Sequence, residues 1–236
     1  MCTLKFLLCV SVIVKYDSIL SLNVKAHFPA SKDPLYPRIQ MTESLPNLKE
    51  LTVCTWLKPY VLDDLDTLLS YATLSSDNQL LIALRTKLNI TKIEFHIVKS
   101  VNTVTCSRIT WKIGEWYHLC VSVFTPSGSV AFYLDGILCE KFENILEFKN
   151  KEIPTGGILI IGQEQDGLNS KFDNKQSWYG DIADLHIWNE KLSEEQIREA
   201  GICKGKRKQG NVFSWMKTKI SVLDNVIFSE TELCNP

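Results

Sequence analysis

The sequence predicts an all-β protein, a two-sheet antiparallel sandwich with one short α-helix. Short apolar or alternating runs recur along the chain, turn-forming residues separate them, and only one stretch carries helix-capping signals. Leu51 to Leu57 is the first such run. Leu68-Leu69 and Leu80 to Leu84 flank a Ser-Ser-Asp-Asn turn ending at Asp77-Asn78, and Lys92 to Val98 and Trp116 to Phe124 follow. Val130 to Leu134 and Ile137 to Cys139 read as a hairpin, because Asp135-Gly136 between them tolerates the positive φ of a type I′ turn. Pro126-Ser127-Gly128 and Pro154 to Gly157 mark further turns, ahead of the runs Ile158 to Ile161 and Asp181 to Trp188. The helix starts at Ser193 as N-cap, with Gln196 completing a capping box, Glu194 and Glu195 at the positive end of the dipole, and Gly201 as the stop. So short a helix cannot form a bundle core and belongs on one face of the sandwich.

With 236 residues, 45% hydrophobic content and 6 Trp, the chain can bury a sizeable core in one domain. A formal net charge of −1 gives no whole-chain attraction to nucleic acid, which is not expected as the primary partner. Residues 1–21 read as a secretory signal: Lys5 precedes an apolar stretch from Phe6 to Val14, and small or polar residues surround Ser18 and Ser21. Lys15 and Asp17 interrupt that pattern, and cleavage is expected between Ser18 and Asn23, leaving a domain of residues 22–236. No other run approaches the roughly 18 apolar residues of a membrane span, so a secreted, extracellular product without a span is expected. Of 8 Cys, Cys2 and Cys9 fall in the signal, leaving Cys54, Cys106, Cys120, Cys139, Cys203 and Cys234. That even number suits disulfides, although spacing alone chooses no pairing. Zinc is disfavoured because no Cys-x-x-Cys occurs and His27, His96, His118 and His186 lack ligand spacing.

The chemistry concentrates in Gly162-Gln163-Glu164-Gln165-Asp166, followed by Asp173 and Gln176. These are oxygen donors without sulfur or imidazole. In an extended chain the Glu164 and Asp166 carboxylates share one side, and the Gln165 carbonyl can turn toward the same ion. Calcium takes about 6 to 8 oxygens, so a second donor segment is needed, and Asp77-Asn78 supplies it. A glycosidase reading of Glu164 and Asp166 fails, because Gly167 and Leu168 stand where a Glu-x-Asp-x-x-Glu strand continues toward its partner carboxylate. No Ser/His/Asp or Cys/His set suggests itself either, so an enzyme is not expected.

Three stretches together resemble the pentraxins: Leu69 to Thr73 before Asp77-Asn78, His118-Leu119-Cys120-Val121-Ser122, and Gly162 through Gln176-Ser177 to Gly180-Asp181-Ile182. The resemblance runs from about Val24 to Cys234, and the extra cysteines are similar to those of arthropod members. The signature His-x-Cys-x-Ser/Thr-Trp ends here in Val123 instead of Trp. The resemblance implies a lectin-like jelly roll and a bridge from Cys54 to Cys120; the remaining four cysteines then pair most simply as Cys106 with Cys139 and Cys203 with Cys234, a pairing left open by both spacing and resemblance. It also implies two Ca²⁺ per subunit, the first held by Asp77, Asn78, Glu164, Asp166 and the Gln165 carbonyl. Glu164 and Asp166 then bridge to the second, completed by Asp173 and Gln176. Pentraxin calcium coordinates an anionic group such as phosphate, and neighbouring side chains select what is attached. Ala83 stands where an aromatic wall faces choline in other members, and Glu94 can offer a carboxylate to a ligand cation. Phosphocholine, phosphoethanolamine and acidic or acetylated sugars are the expected ligand classes. The expected protein is a calcium-dependent pattern-recognition lectin in a cyclic homo-oligomer; the alternative is a laminin-G-like adhesion module without ring assembly. Lys204, Lys206, Arg207 and Lys208 form a basic loop, expected to be solvated with polyanion binding as the lesser reading, and Asn89-Ile90-Thr91 is a glycosylation sequon.

Overall fold

A computed structural model describes residues 24–107, 109–202, 207–231 and 233. The first strands are β1 (Val24–Phe28), β2 (Arg38–Met41), β3 (Glu50–Pro59), β4 (Asp66–Thr73) and β5 (Ser76–Lys87). Next come β6 (Ile90–Ile97), β7 (Ser100–Val104), β8 (Tyr117–Phe124), β9 (Ser129–Leu134), β10 (Ile137–Phe142) and β11 (Ile158–Ile161). β12 (Gly180–Trp188), helix α1 (Glu194–Ala200), β13 (Phe213–Ser214), β14 (Ile220–Leu223) and β15 (Ile227–Glu230) follow. One sheet has the order β10-β9-β8-β3-β12-β1-β15, with β13 paired to β12, and the other β14-β2-β11-β4-β5-β6-β7. The ladders are antiparallel, giving the expected two-sheet jelly-roll sandwich with one helix.

Alternation along the strands decides which face is which. Leu80, Ile82 and Leu84 of β5 and Ile93, Phe95 and Ile97 of β6 enter the core between the sheets. The intervening Leu81, Ala83, Arg85, Glu94 and His96 lie on the outer face of the seven-stranded sheet. β4 and β12 are buried along their whole length, because each is covered on its outer face too. Over β12 the cover is α1, whose Ile197 packs on Cys54, Cys120, Tyr133 and Trp188. Over β4 it is the loop after β11, described below.

Local chemistry explains the punctuation. Asp135 and Gly136 take φ of 52° and 73°, as the hairpin between β9 and β10 requires. Ser193 Oγ accepts from Gln196 N at 3.2 Å while Gln196 Oε1 accepts from Ser193 N at 2.9 Å, so the capping box is complete. Gly201 ends the helix for another reason than left-handed backbone: its φ is −84°, and a Cβ there would sit 2.8 Å from His118 Nδ1. Cys54 and Cys120 are directly opposite in the β3–β8 ladder and disulfide-bonded, Cα atoms 4.2 Å apart. Cys106–Cys139, with Cα atoms 5.0 Å apart, joins the segment after β7 to β10 and ties the two sheets together at that edge. Each bridge contributes on the order of 2 to 4 kcal/mol. Cys203, Cys234, Lys204, Lys206 and the expected signal at 1–21 lie outside the described residues.

Candidate calcium site

The oxygen-rich loop leaves β11 at Gly162, whose φ of 93° and whose approach to Phe28, 2.5 Å from the position of an added Cβ, leave no room for a side chain. Gly162 N donates to Leu68 O and Trp178 N donates to Gly162 O, both at 2.9 Å, so the loop departs from and returns to the same point on β4. Gln163 faces inward: its Nε2 donates to Pro37 O at 3.1 Å and its Oε1 accepts from Ser177 Oγ at 3.0 Å. Gln165 is spent likewise on scaffolding. Its Nε2 donates to Ser70 Oγ at 3.1 Å and Ile158 O at 3.0 Å, and its Oε1 accepts from Asn169 N at 2.9 Å. Of the Gln165 acceptors, its backbone carbonyl is thus the one suited to an ion. Glu164 and Asp166 alternate away from these anchored amides.

The carboxylates share one neighbourhood: Asp77 and Asp166 act electrostatically on Glu164, and Asp77 and Asp173 on Asp166. Asp77 and Asn78 open β5, directly after the turn that leaves β4. Asp173 caps a 3-10 turn over Asn174–Gln176, its Oδ1 accepting from Lys175 N at 2.9 Å. Phe172 beside it is clamped by Arg38, whose guanidinium carbon lies 4.7 Å from the ring centroid, and Arg38 in turn donates to Asp224 Oδ2 at 2.6 Å. Ser31 Oγ donates to Asn174 Oδ1 at 3.0 Å. No local sequence pattern pointed to these clamps, since Arg38 and Asp224 come from strands and turns distant in the chain.

Charge and hydrogen bonding make the site unusual. Asn78 Oδ1, Glu164 Oε2 and Gln176 Oε1 are buried acceptors without a partner, a state that is costly unless a cation or donor meets them. Among the described residues, none of Asp77, Glu164, Asp166 and Asp173 forms a salt bridge. Glu164 is 6% exposed, and its carboxyl is pushed up to about 7, first by burial and then by Asp166, with Asp77 and Glu94 adding to it and His96 opposing. Asp166 is raised by burial, Asp77 and Asp173, with Lys171 opposing. Four carboxylates and three orphaned or amide oxygens on one rim fit a hard divalent cation and no soft one.

The ligand wall differs from the sequence reading. Ala83 is fully buried and Glu94 is 4% exposed. Glu94 is held by Arg85, through Nε and through Nη2 at 3.0 Å, and by His96 Nε2 at 2.8 Å. Burial would raise its pKa, but His96 and Arg85 outweigh that and hold it at about 2. Its carboxylate is therefore already paired and is not offered to a ligand cation. The basic loop is also partly spent: Arg207 is buried against Asp184, and Lys208 pairs with Glu190 at 2.7 Å. Asn89 is exposed in the β5–β6 turn, whereas the sequon's Thr91 is buried and paired with Thr86 Oγ1 at 2.9 Å.

Two other features compete for attention. Cys54, His118 and Cys120 bring ligand atoms within 4.8 Å of one another, tighter than the carboxylates of the rim. The two sulfurs are bonded to each other, and burial pushes His118 down to about 4, so that trio is a packed disulfide. A cavity of about 530 Å³ lined by Trp56, Trp116, Asp135 and Arg198 opens beside α1. It lies on the opposite face from the oxygen rim and shares no residue with it.

The Pentaxin family profile matches residues 25–230. The chain belongs to the pentraxin family. It is 32% identical over 216 residues to C-reactive protein 1.4 of Limulus polyphemus, covering 90% of this chain and 88% of that one. It is 29% identical over 209 residues to human neuronal pentraxin-1, covering 88% of this chain and 46% of that one. The native heptameric SAP-like pentraxin from Limulus polyphemus superposes with a TM-score of 0.86 at 31% identity, over 94% of this chain and 100% of that one. Pentraxins are calcium-dependent pattern-recognition proteins and non-enzymatic binding proteins. Among the described residues of this one, no helix is long and apolar enough to cross a membrane.

Proposed function

We propose that this pentraxin is a secreted pattern-recognition lectin holding two Ca²⁺ per subunit on the outer face of the seven-stranded sheet. The observation that carries the reading is the set of buried, unpartnered oxygens of Asn78, Glu164 and Gln176 among carboxylates without cationic partners. Asp77, Asn78, Glu164, Asp166 and the Gln165 carbonyl would hold the first ion. Glu164 and Asp166 would also serve a second, together with Asp173 and Gln176. Bound calcium supplies the positive charge on which an anionic oxygen of a ligand coordinates. Phosphate-bearing compounds and acidic or acetylated sugars meet that need.

The chain's own residues prepare the site. Gln163, Gln165 and Ser70 fix the loop before any ion arrives, which lowers the ordering cost of binding. Arg38 and Phe172 do the same on the Asp173 side. The pairing of Glu94 with Arg85 and His96 gives the wall beyond Ala83 no unpaired carboxylate, which speaks against selection for a quaternary ammonium at that position. The heptameric Limulus neighbour supports a cyclic homo-oligomer here, in which sites facing one way gain avidity. Secretion is supported by the two disulfides and by the secreted homologues. Retention on a phosphoethanolamine matrix in calcium, with elution by chelator, is the expected result. Retention indifferent to chelator would contradict the reading.

A further inference from the structure

Helix α1 covers only part of the outer face of the eight-stranded sheet, where Ile197 packs over Cys54, Cys120, Tyr133 and Trp188. Two residues along β3 from Cys54, Trp56 lies on the same face, its ring centroid 5.1 Å from that of His118, and Lys58 follows on that face. Trp56 and Trp116, the residue just before β8, stay partly exposed. The cavity of about 530 Å³ beside α1 is lined by both indoles and by Ile137 and Ile202, which are 47% and 49% exposed. A second cavity, of about 480 Å³, shares Trp116 and is lined also by Lys58, Glu230 and Thr231. Polar groups along both are unspent. Arg198 forms no ion pair among the described residues. Asp135 accepts from His118 N through Oδ1 at 2.8 Å and keeps Oδ2. Trp56 Nε1 is a buried donor without an acceptor. Lys58 Nζ lies 6.0 Å from the Trp116 ring centroid, and Glu230 is exposed. Lys25, the remaining charge in the lining, is already paired with Asp181.

We propose that this cleft binds a neutral oligosaccharide, without calcium and independently of the oxygen rim on the opposite face. Indole rings offer flat apolar surfaces to the C–H face of a pyranose ring, and cavities of about 300 to 1,000 Å³ with a few polar groups are of ligand size. The unspent charges balance: Arg198 and Lys58 stand against Asp135 and Glu230. A polyanion or a polycation would therefore meet like charge in the cleft. A lipid chain would desolvate all four groups and give them no partners. Sugar hydroxyls both donate and accept, so they satisfy cations and carboxylates alike. Because Trp116 is common to the two cavities, the cleft suits a chain of two or more rings with one of them on that indole.

The test titrates the full protein in chelator with neutral hexasaccharides of β-1,3-linked, β-1,4-linked and α-1,4-linked glucose and of β-1,4-linked N-acetylglucosamine, and with a sulfated hexasaccharide as the polyanion. Calorimetric heat and tryptophan fluorescence are the readouts. At least one neutral hexasaccharide is expected to bind, with the same affinity in calcium and in chelator. Trp116→Ala and Arg198→Gln are each expected to weaken that binding by at least about tenfold, and Trp116→Phe to retain most of it. Arg198 is exposed on the last turn of α1, so Arg198→Gln keeps the test standing should Trp116→Ala misfold. Binding of none of the neutral sugars, binding of the sulfated one alone, or neutral-sugar binding unchanged in both variants would overturn the proposal. Neutral-sugar binding that vanishes in chelator would overturn it as well and assign the sugar to the oxygen rim.

Discussion

Replacing Glu164 by Gln should make the calcium-free protein more stable and the calcium-loaded protein less so. Glu164 is buried with no cationic partner, and its carboxyl is raised from 4.5 to about 7, chiefly by burial. Because the folded state holds the proton more tightly than the unfolded chain, the associated stability is fully present below pH 4.5 and is lost as pH rises through about 7. At about 1.36 kcal/mol per pKa unit, the cost of ionising Glu164 at pH 8 is at most about 3 kcal/mol. Water entry and relaxation reduce that to roughly half. Gln keeps the shape without the charge, so at pH 8 in chelator Glu164→Gln should raise Tm by about 3 to 6 °C for a domain of this size. Near pH 4.5 the two proteins should melt together, since the native carboxyl is then protonated. In calcium the order should reverse, because two bound ions would stabilise the native protein by about 1.4 kcal/mol per site at tenfold excess over Kd, while the variant would lack the ligand that the proposed ions share. Thermal unfolding at pH 4.5 and 8, with calcium or chelator, reads all four states. A variant that is less stable in chelator at pH 8, or that keeps the full calcium response, would refute the placement of an uncompensated charge at Glu164.

Asp173→Asn should weaken the second ion and spare the first, which calorimetric titration separates as two unequal steps. Gly162→Ala forces a side chain against Phe28 at a positive φ, so it should cost on the order of 2 kcal/mol or more and loosen the Glu164 loop, visible as faster proteolysis between 164 and 176. Non-reducing peptide mapping of the protein should find Cys54 joined to Cys120 and Cys106 to Cys139. Free thiols at these positions would contradict the sheet closure described here.

Strands with strong apolar runs or clear turn chemistry were legible. Ile158–Ile161 matches the expected run, and the Asp135-Gly136 hairpin matches in position and turn geometry. β1, β2, β7, β13, β14 and β15 were not, because they are short and several lie at sheet edges with half-exposed patterns such as those of β14 and β15, which leaves periodicity little to act on. β4 carried only the Leu68-Leu69 signal, since a strand buried on both faces does not alternate. Residue type and spacing marked the oxygen-rich segments as candidates, and the resemblance supplied their division between two ions. The pairing of Glu94 with Arg85 and His96 was not legible, because it depends on which residues of β5 and β6 share a face, and a carboxylate's partners across a ladder are invisible until the register is known.

In the proposed site two calcium ions share Glu164 and Asp166. A crystal structure grown in calcium, with anomalous scattering to identify the metal, tests it most directly. Two ions are expected, one against Asp77, Asn78 and the Gln165 carbonyl and one against Asp173 and Gln176, with Glu164 and Asp166 contacting both. A single ion, or solvated carboxylates at millimolar calcium with no ion between them, would contradict it.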